Sequence, residues 1–187
     1  ITPVFSERDV VTSSSTTDSR GSVNTVTNRV GGSSKFVPRP DINRERDPVA
    51  QSFKIDFDCM ISKADIFFEN VDVGSEVWVE LREMLNGYPT EIVLSRKDLD
   101  TTKIKTSLDA TVPTEVEFSH PVRIKSGTEY CIVVGGNSPQ TRIWIARLGE
   151  TAVNADNKTI DTQISLGSCF RSQNGSTWNA EQYEDMM

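Results

Sequence analysis

A chain of 187 residues, 36% hydrophobic and 25% charged, suffices for one ordinary domain with a modest appendage and is too apolar to be disordered throughout. A formal net charge of −7 argues against an electrostatic grip on nucleic-acid phosphates or on anionic lipid. No apolar run approaches the ~18 residues that cross a bilayer, so neither nucleic acid nor membrane is an expected partner.

The opening Ile1-Thr-Pro-Val-Phe-Ser-Glu-Arg-Asp9 has neither the basic nor the apolar stretch of a secretory leader, and Glu184-Asp-Met-Met187 carries no stop signal. Both ends read as the interior of a longer chain. Composition changes near residue 46. Residues 1–46 hold fourteen Ser or Thr, with seven basic against five acidic side chains, a balance of +2 that leaves −9 on residues 47–187. Such a stretch cannot build its own core. It reads either as a linker or as an extended arm that orders across neighbouring subunits, with Val23, Val26, Val30, Phe36 and Val37 as anchors and a Pro-rich hinge at 36–41.

From Asp47 onward the hydrophobic pattern has a period of two. Residues 51–58 place Phe53, Ile55 and Phe57 on one face. Residues 61–69 set Ile66 and Phe68 against Phe67, and residues 75–84 set Val77, Val79 and Leu81 against Trp78, Glu80 and Arg82. Asn86-Gly-Tyr-Pro89 is a turn, because Gly supplies positive φ and Pro fixes the exit. Further strands are predicted over 91–95, 112–119, 122–125, 128–134 and 141–148, with one weak helical signal over 96–104. In the strand over 112–119, Val112, Thr114, Val116 and Phe118 point inward and Glu115 and Glu117 outward. About eight short antiparallel strands predict an all-β, two-sheet β-sandwich of jelly-roll type over 47–187, preceded by the arm.

Chemistry is sparse. Cys59, Cys131 and Cys169 are odd in number and far apart, which reads as buried thiols folded in a reducing compartment rather than a disulfide or metal framework. The single histidine, His120, stands before Pro121 at a strand junction, where a surface or interface role is the plain reading. The carboxylate pairs Asp56/Asp58 and Glu115/Glu117 follow from strand alternation alone. Asn154-Ala-Asp156-Asn157 is an oxygen-rich loop without the glycine-centred pattern of a calcium site, and Gly135-Gly136 lacks the lysine of a phosphate loop. No catalytic residue, metal or cofactor is expected, and the chain reads as no enzyme. Trp78 and Tyr88 are candidates for stacking on a sugar ring.

Six strings carry more than pattern: Asp47-Pro-Val-Ala-Gln-Ser-Phe53, Ile61-Ser-Lys-Ala-Asp-Ile-Phe-Phe68, Arg82-Glu-Met-Leu-Asn-Gly-Tyr-Pro89, Glu129-Tyr-Cys-Ile-Val133, Ile143-Trp-Ile-Ala-Arg-Leu-Gly-Glu150 and Phe170-Arg-Ser-Gln-Asn-Gly-Ser-Thr-Trp178. In this order they resemble a β-sandwich region of large tail and baseplate structural proteins of T-even-like and cyanobacterial contractile-tailed bacteriophages, over about residues 47 to 185. The resemblance implies a non-enzymatic virion component, made in the host cytoplasm and assembled with other virion structural subunits as a homo- or hetero-oligomer. Trp144, Trp178 and Arg147 are the expected interface anchors. The alternative is a carbohydrate-binding module that recognises host surface glycan through Trp78 and Tyr88, since one sandwich serves either task.

Overall fold

The computed structural model describes residues 11–17, 23–29, 48–153, 158–163 and 167–187. The chain divides into two units, Ile1–Pro40 and Asp41–Met187, close to the change of composition at 46. In the first unit, β1 (Val11–Thr17) and β2 (Val23–Arg29) pair antiparallel, with Val11 opposite Arg29 and Thr17 opposite Val23. The Ser/Thr run that composition marks as an arm or linker therefore contributes a hairpin strand. The anchors Val30, Phe36 and Val37 and the hinge at 36–41 lie outside the described residues.

The second unit is all-β, with no helix among the described residues. Its strands are β3 (Val49–Lys54), β4 (Cys59–Ile66), β5 (Phe68–Asn70), β6 (Val77–Leu85), β7 (Tyr88–Leu99), β8 (Thr114–Ile124), β9 (Glu129–Gly136), β10 (Arg142–Ile143), β11 (Ile145–Arg147), β12 (Cys169–Ser172), β13 (Trp178–Glu181) and β14 (Glu184–Met186). Six of them form one antiparallel sheet in the order β13-β12-β3-β9-β6-β7. Three two-stranded ladders, β4-β8, β5-β10 and β11-β14, supply the opposing layer of the sandwich.

The main core lies between the layers. Val77, Val79 and Leu81 of β6 and Tyr130 and Val134 of β9 pack against Ile66, Phe68, Val116, Phe118, Val122 and Ile124. Each fully buried side chain of this kind contributes roughly 1.5–3 kcal/mol relative to exposure. The alternation read in β6 and β8 sets this face, and Glu115 and Glu117 point to solvent as the pattern predicts. A second, smaller cluster of Ala50, Cys131, Val133, Phe170 and Trp178 lies on the outer face of the six-stranded sheet, with Trp78 and Met84 against it.

Several boundaries differ from the sequence reading, each for a local reason. β3 stops at Lys54 because Ile55, Asp56 and Asp58 turn to meet the 125–128 loop: Gly127 N donates to Ile55 O, Ser126 Oγ to Asp56 O and Ser126 N to Asp58 Oδ1. Phe57 is left exposed rather than sharing the face of Phe53. The strand predicted over 61–69 breaks at Phe67, whose N–H goes to Met187 O and whose carbonyl accepts from Trp144 N. The predicted strands at 112–119 and 122–125 are one strand, β8, interrupted by an irregularity in the register between Val122 and Glu117 that accommodates Pro121. Val112 lies outside β8 and is exposed. The weak helical signal over 96–104 is overturned. Residues 96–99 complete β7, because Arg96 and Asp98 form an ion pair and Arg96 reaches across to Glu80 of β6.

Candidate functional site

The outer face of the six-stranded sheet carries a charged cleft. β6 presents Trp78, Glu80 and Arg82 on this side, and β9 sets Gly135 opposite Trp78 in the ladder. The indole lies flat on that glycine: a Cβ at position 135 would sit 2.3 Å from Trp78 Cζ2. The Arg96 guanidinium, from β7, lies over the indole at 5.0 Å from the ring centroid and the Arg82 guanidinium at 5.9 Å. Glu80, only 3% exposed, receives Arg82 Nε at 2.7 Å and Arg96 Nη1 at 2.9 Å. Arg82 Nη1 also donates to Gly175 O at 3.0 Å and Thr90 O at 3.3 Å. Pro48, Glu76, Glu91, Asn137 and the 174–176 turn complete a cleft of about 310 Å³.

Sequence alternation puts Glu80 and Arg82 on the solvent side of β6, yet both are buried. The signal available was Trp78 in the same row, since a large ring in a polar row marks a covered face. In this arrangement the charges neutralise one another and tie the 174–176 turn to the β6-β7 hairpin. Gly135 packs against the Trp78 ring and Arg96 lies over it, and the half-buried indole still lines the cleft.

The β6-β7 hairpin is the second feature. Asn86 (φ 53°) and Gly87 (φ 78°) are both left-handed, the two-residue turn whose twist suits a hairpin. β9 pairs with β6 only as far as Glu83, so the hairpin tip projects past its neighbour. Four large apolar side chains are exposed along it: Leu85 (65%), Tyr88, Ile92 (55%) and Val93. Tyr88 also leans on Phe170, with ring centroids 5.9 Å apart and planes at 59°. Sequence reading singled out Tyr88 here and missed Leu85, Ile92 and Val93, which match the alternation of an ordinary strand.

The three predicted interface anchors do not form one site. Trp178 is 6% exposed and belongs to the cluster on the outer sheet face, so as an anchor it is corrected to a core residue. Trp144 and Arg147 do come together: they line an apolar pocket of about 220 Å³ with Ala110, Ala152, Val153 and Ile160. Trp144 is half-buried and its Nε1 donates to Ser107 O at 2.8 Å. Arg147 pairs with buried Glu184 and reaches Glu150 at 3.4 Å. Arg171 Nη2 donates to the other Glu184 oxygen at 2.6 Å. Burial alone would push the Glu184 carboxyl up, but the hydrogen bonds from Arg147 and Arg171 outweigh it and hold the carboxyl below its ordinary value.

Burial pushes the Cys131 and Cys169 thiols up to about 12, so neither is a thiolate near neutrality. His120 is exposed, with Nε2 3.2 Å from Leu94 O, and beside it Ser119 Oγ donates to Arg96 O at 3.1 Å. Together they cover carbonyls on the outer edge of β7. Among the described residues no three His, Cys, Asp or Glu side chains are grouped to hold a metal ion. The oxygen-rich loop Asn154-Ala-Asp156-Asn157 lies outside the described residues. Comparison of the chain with protein-family models, with curated proteins and with solved structures finds no match.

Proposed function

We propose that this chain is a non-enzymatic structural subunit of a contractile-tailed phage particle, a tail or baseplate component that acts through contacts with other subunits. The observation that carries the reading is the projecting β6-β7 hairpin, which groups four exposed apolar side chains, Leu85, Tyr88, Ile92 and Val93, on one element, while Phe57, Met60, Val73, Leu108, Val112, Val153 and Tyr183 are exposed elsewhere. Exposed apolar groups clustered on a projecting element mark an interaction surface, because leaving them in water forgoes the stabilisation of burial. The six strings quoted above supply the particle class. The test is the protein composition of purified particles: the chain is expected in the tail fraction in fixed stoichiometry with the other tail proteins. Its absence from particles in cells that make it abundantly would sink the proposal.

A glycan-binding role is favoured by one observation, the half-exposed Tyr88 ring beside Phe170. Trp78, the other residue of this reading, is half-buried and lines the cleft with Arg96 over its ring. A glycan array with the intact chain and with Tyr88→Ala separates the two readings. Selective binding abolished by the substitution supports recognition, and a blank array supports the structural role.

A further inference from the structure

The outer-face cleft has a fixed floor. Trp78, Glu80 and Arg82 of β6 run along it, with Arg96 of β7 beside them. Glu80 and Arg82 are buried, and the charges of the floor satisfy one another. Glu80 receives both arginines, and Asp98 receives Arg96 Nε at 2.9 Å and Nη2 at 2.7 Å. Because Arg82 also donates to Thr90 O and Gly175 O, β6, β7 and the 174–176 turn are fastened together around the cleft. A site held in shape before a ligand arrives loses little conformational entropy on binding.

The groups left over stand at the mouth. Glu76 and Glu91 both line the cleft and are exposed, and neither carboxylate has a hydrogen-bond or ion-pair partner among the described residues. The register sets them at opposite ends of the floor: Glu76 comes just before Val77, and Glu91 lies two residues short of Val93, the partner of Arg82. Asn137 Oδ1 accepts from Glu76 N at 2.8 Å, which orients the amide and leaves its Nδ2 as a donor without a partner among the described residues. The mouth therefore offers free acceptors at both ends and a fixed donor beside one of them. Exposed glutamates are ordinary on any surface. Here two of them close the ends of a cleft whose floor is already neutralised.

We infer that this cleft binds a neutral saccharide, with Glu76 and Glu91 accepting hydrogen bonds from hydroxyl groups at its two ends, Asn137 Nδ2 donating to a third oxygen and the exposed part of the Trp78 indole against ring C–H groups. Charge selects the class. An acidic ligand meets free carboxylates and arginines that are already engaged. A cationic ligand finds its place over the indole taken by Arg96 and Arg82. A hydroxyl group both donates and accepts, and its bond to a carboxylate is among the stronger ones a sugar makes. At about 310 Å³ the cleft lies at the small end of ligand sites, which span roughly 300–1,000 Å³, and so fits a short saccharide. The inference rests on the glycan reading above for the class of ligand alone; it moves the contact from the Tyr88 ring to the cleft and is compatible with a subunit fixed in a particle.

Saturation-transfer NMR titrations of the full 187-residue chain test it. The neutral probes are the methyl glycosides of glucose, galactose, mannose and N-acetylglucosamine, and the acidic probes are those of glucuronic and sialic acid. Wild type is expected to bind at least one neutral probe and neither acidic one. Glu76→Gln and Glu91→Gln change exposed side chains and leave folding intact, and each is expected to weaken binding by about tenfold, the difference between a charged and a neutral acceptor. Ser176→Phe, at an exposed position on the rim, is expected to fill the mouth and abolish binding. Tyr88→Ala is expected to leave it unchanged. Binding lost in Tyr88→Ala but untouched by the three cleft substitutions would overturn the inference and keep the glycan reading. Acidic probes that bind as well as neutral ones would also overturn it, and no binding of any probe would overturn both the inference and the glycan reading. None of these results bears on whether the chain is present in particles.

Discussion

At the scale of single residues, two positions on β6's neighbours show opposite departures from ideal packing. Gly135 is required by contact, since its missing Cβ is the space in which the Trp78 ring lies. Gly135→Ala is expected to destabilise the fold by about 1–3 kcal/mol, the range for overpacking a fixed site, and Gly135→Ala with Trp78→Leu to recover much of that loss. Urea unfolding of both variants checks it. Ser95 is the reverse case. Its hydroxyl is buried without a hydrogen-bond partner, so Ser95→Ala is expected to be neutral or to stabilise by up to about 1 kcal/mol, read as a shift of the urea midpoint at constant slope. Neither requirement was legible in the sequence. Gly135 looks like any turn glycine beside Gly136, and Ser95 like any polar strand residue. What sets each is a neighbour from another strand, which local pattern does not name.

At the scale of elements, the sequence spoke clearly where a strand has one buried face and one wet face. β6 and β8 have this form, and Val77, Val79, Leu81, Val116 and Phe118 were assigned to the core from alternation alone. It failed for β7, because irregularities in the β6-β7 register near Arg82 disturb the period and because the polar run of Arg96 and Asp98 is held by ion pairs rather than burial. It was silent on β12, β13 and β14, which are only three or four residues long. β14 pairs with β11 in a short antiparallel ladder, and its Glu184 carboxylate receives Arg147 of β11 and Arg171 of β12. With its folded-state value held below the ordinary one, this carboxyl contributes stability that is fully present above about pH 4.3 and is lost as the pH falls through the lowered value. The melting temperature of Glu184→Gln is therefore expected to lie below that of wild type at pH 7, with the gap narrowing on acidification to about pH 3. Hydrogen-bonded Asp58, Asp100 and Asp109, also held low, account for acid sensitivity that remains in the variant. A gap that stays constant with pH would show that Glu184 acts by shape and not by charge.

At the scale of the whole molecule, the antiparallel sandwich was legible because eight alternating segments without helical periodicity admit few other architectures. The strand order was not, since pairing joins segments far apart in the chain. The same gap explains the candidate site: Trp78 was named as a candidate for stacking on a sugar ring, and its packing against Gly135 and Arg96 depends on which strands flank β6. Thiol accessibility offers a global check on the packing. Cys131 and Cys169 are buried in the six-stranded sheet, whereas Cys59 opens β4 and is only half-buried. A thiol reagent at neutral pH is expected to label Cys59 first, with Cys131 and Cys169 reacting only after denaturation. Equal labelling of all three in the native state would contradict the sheet order.

That order has a consequence for biosynthesis. β3 is flanked on one side by β9 and on the other by β12, both of which are translated long after it. A nascent chain leaving the ribosome therefore carries β3 with bare edges until residues 129–136 emerge and completes the sheet only when residues 169–181 emerge. Such late, long-range closure is slow and prone to mispairing on the way, so chaperones meet this polypeptide before its sheet is complete.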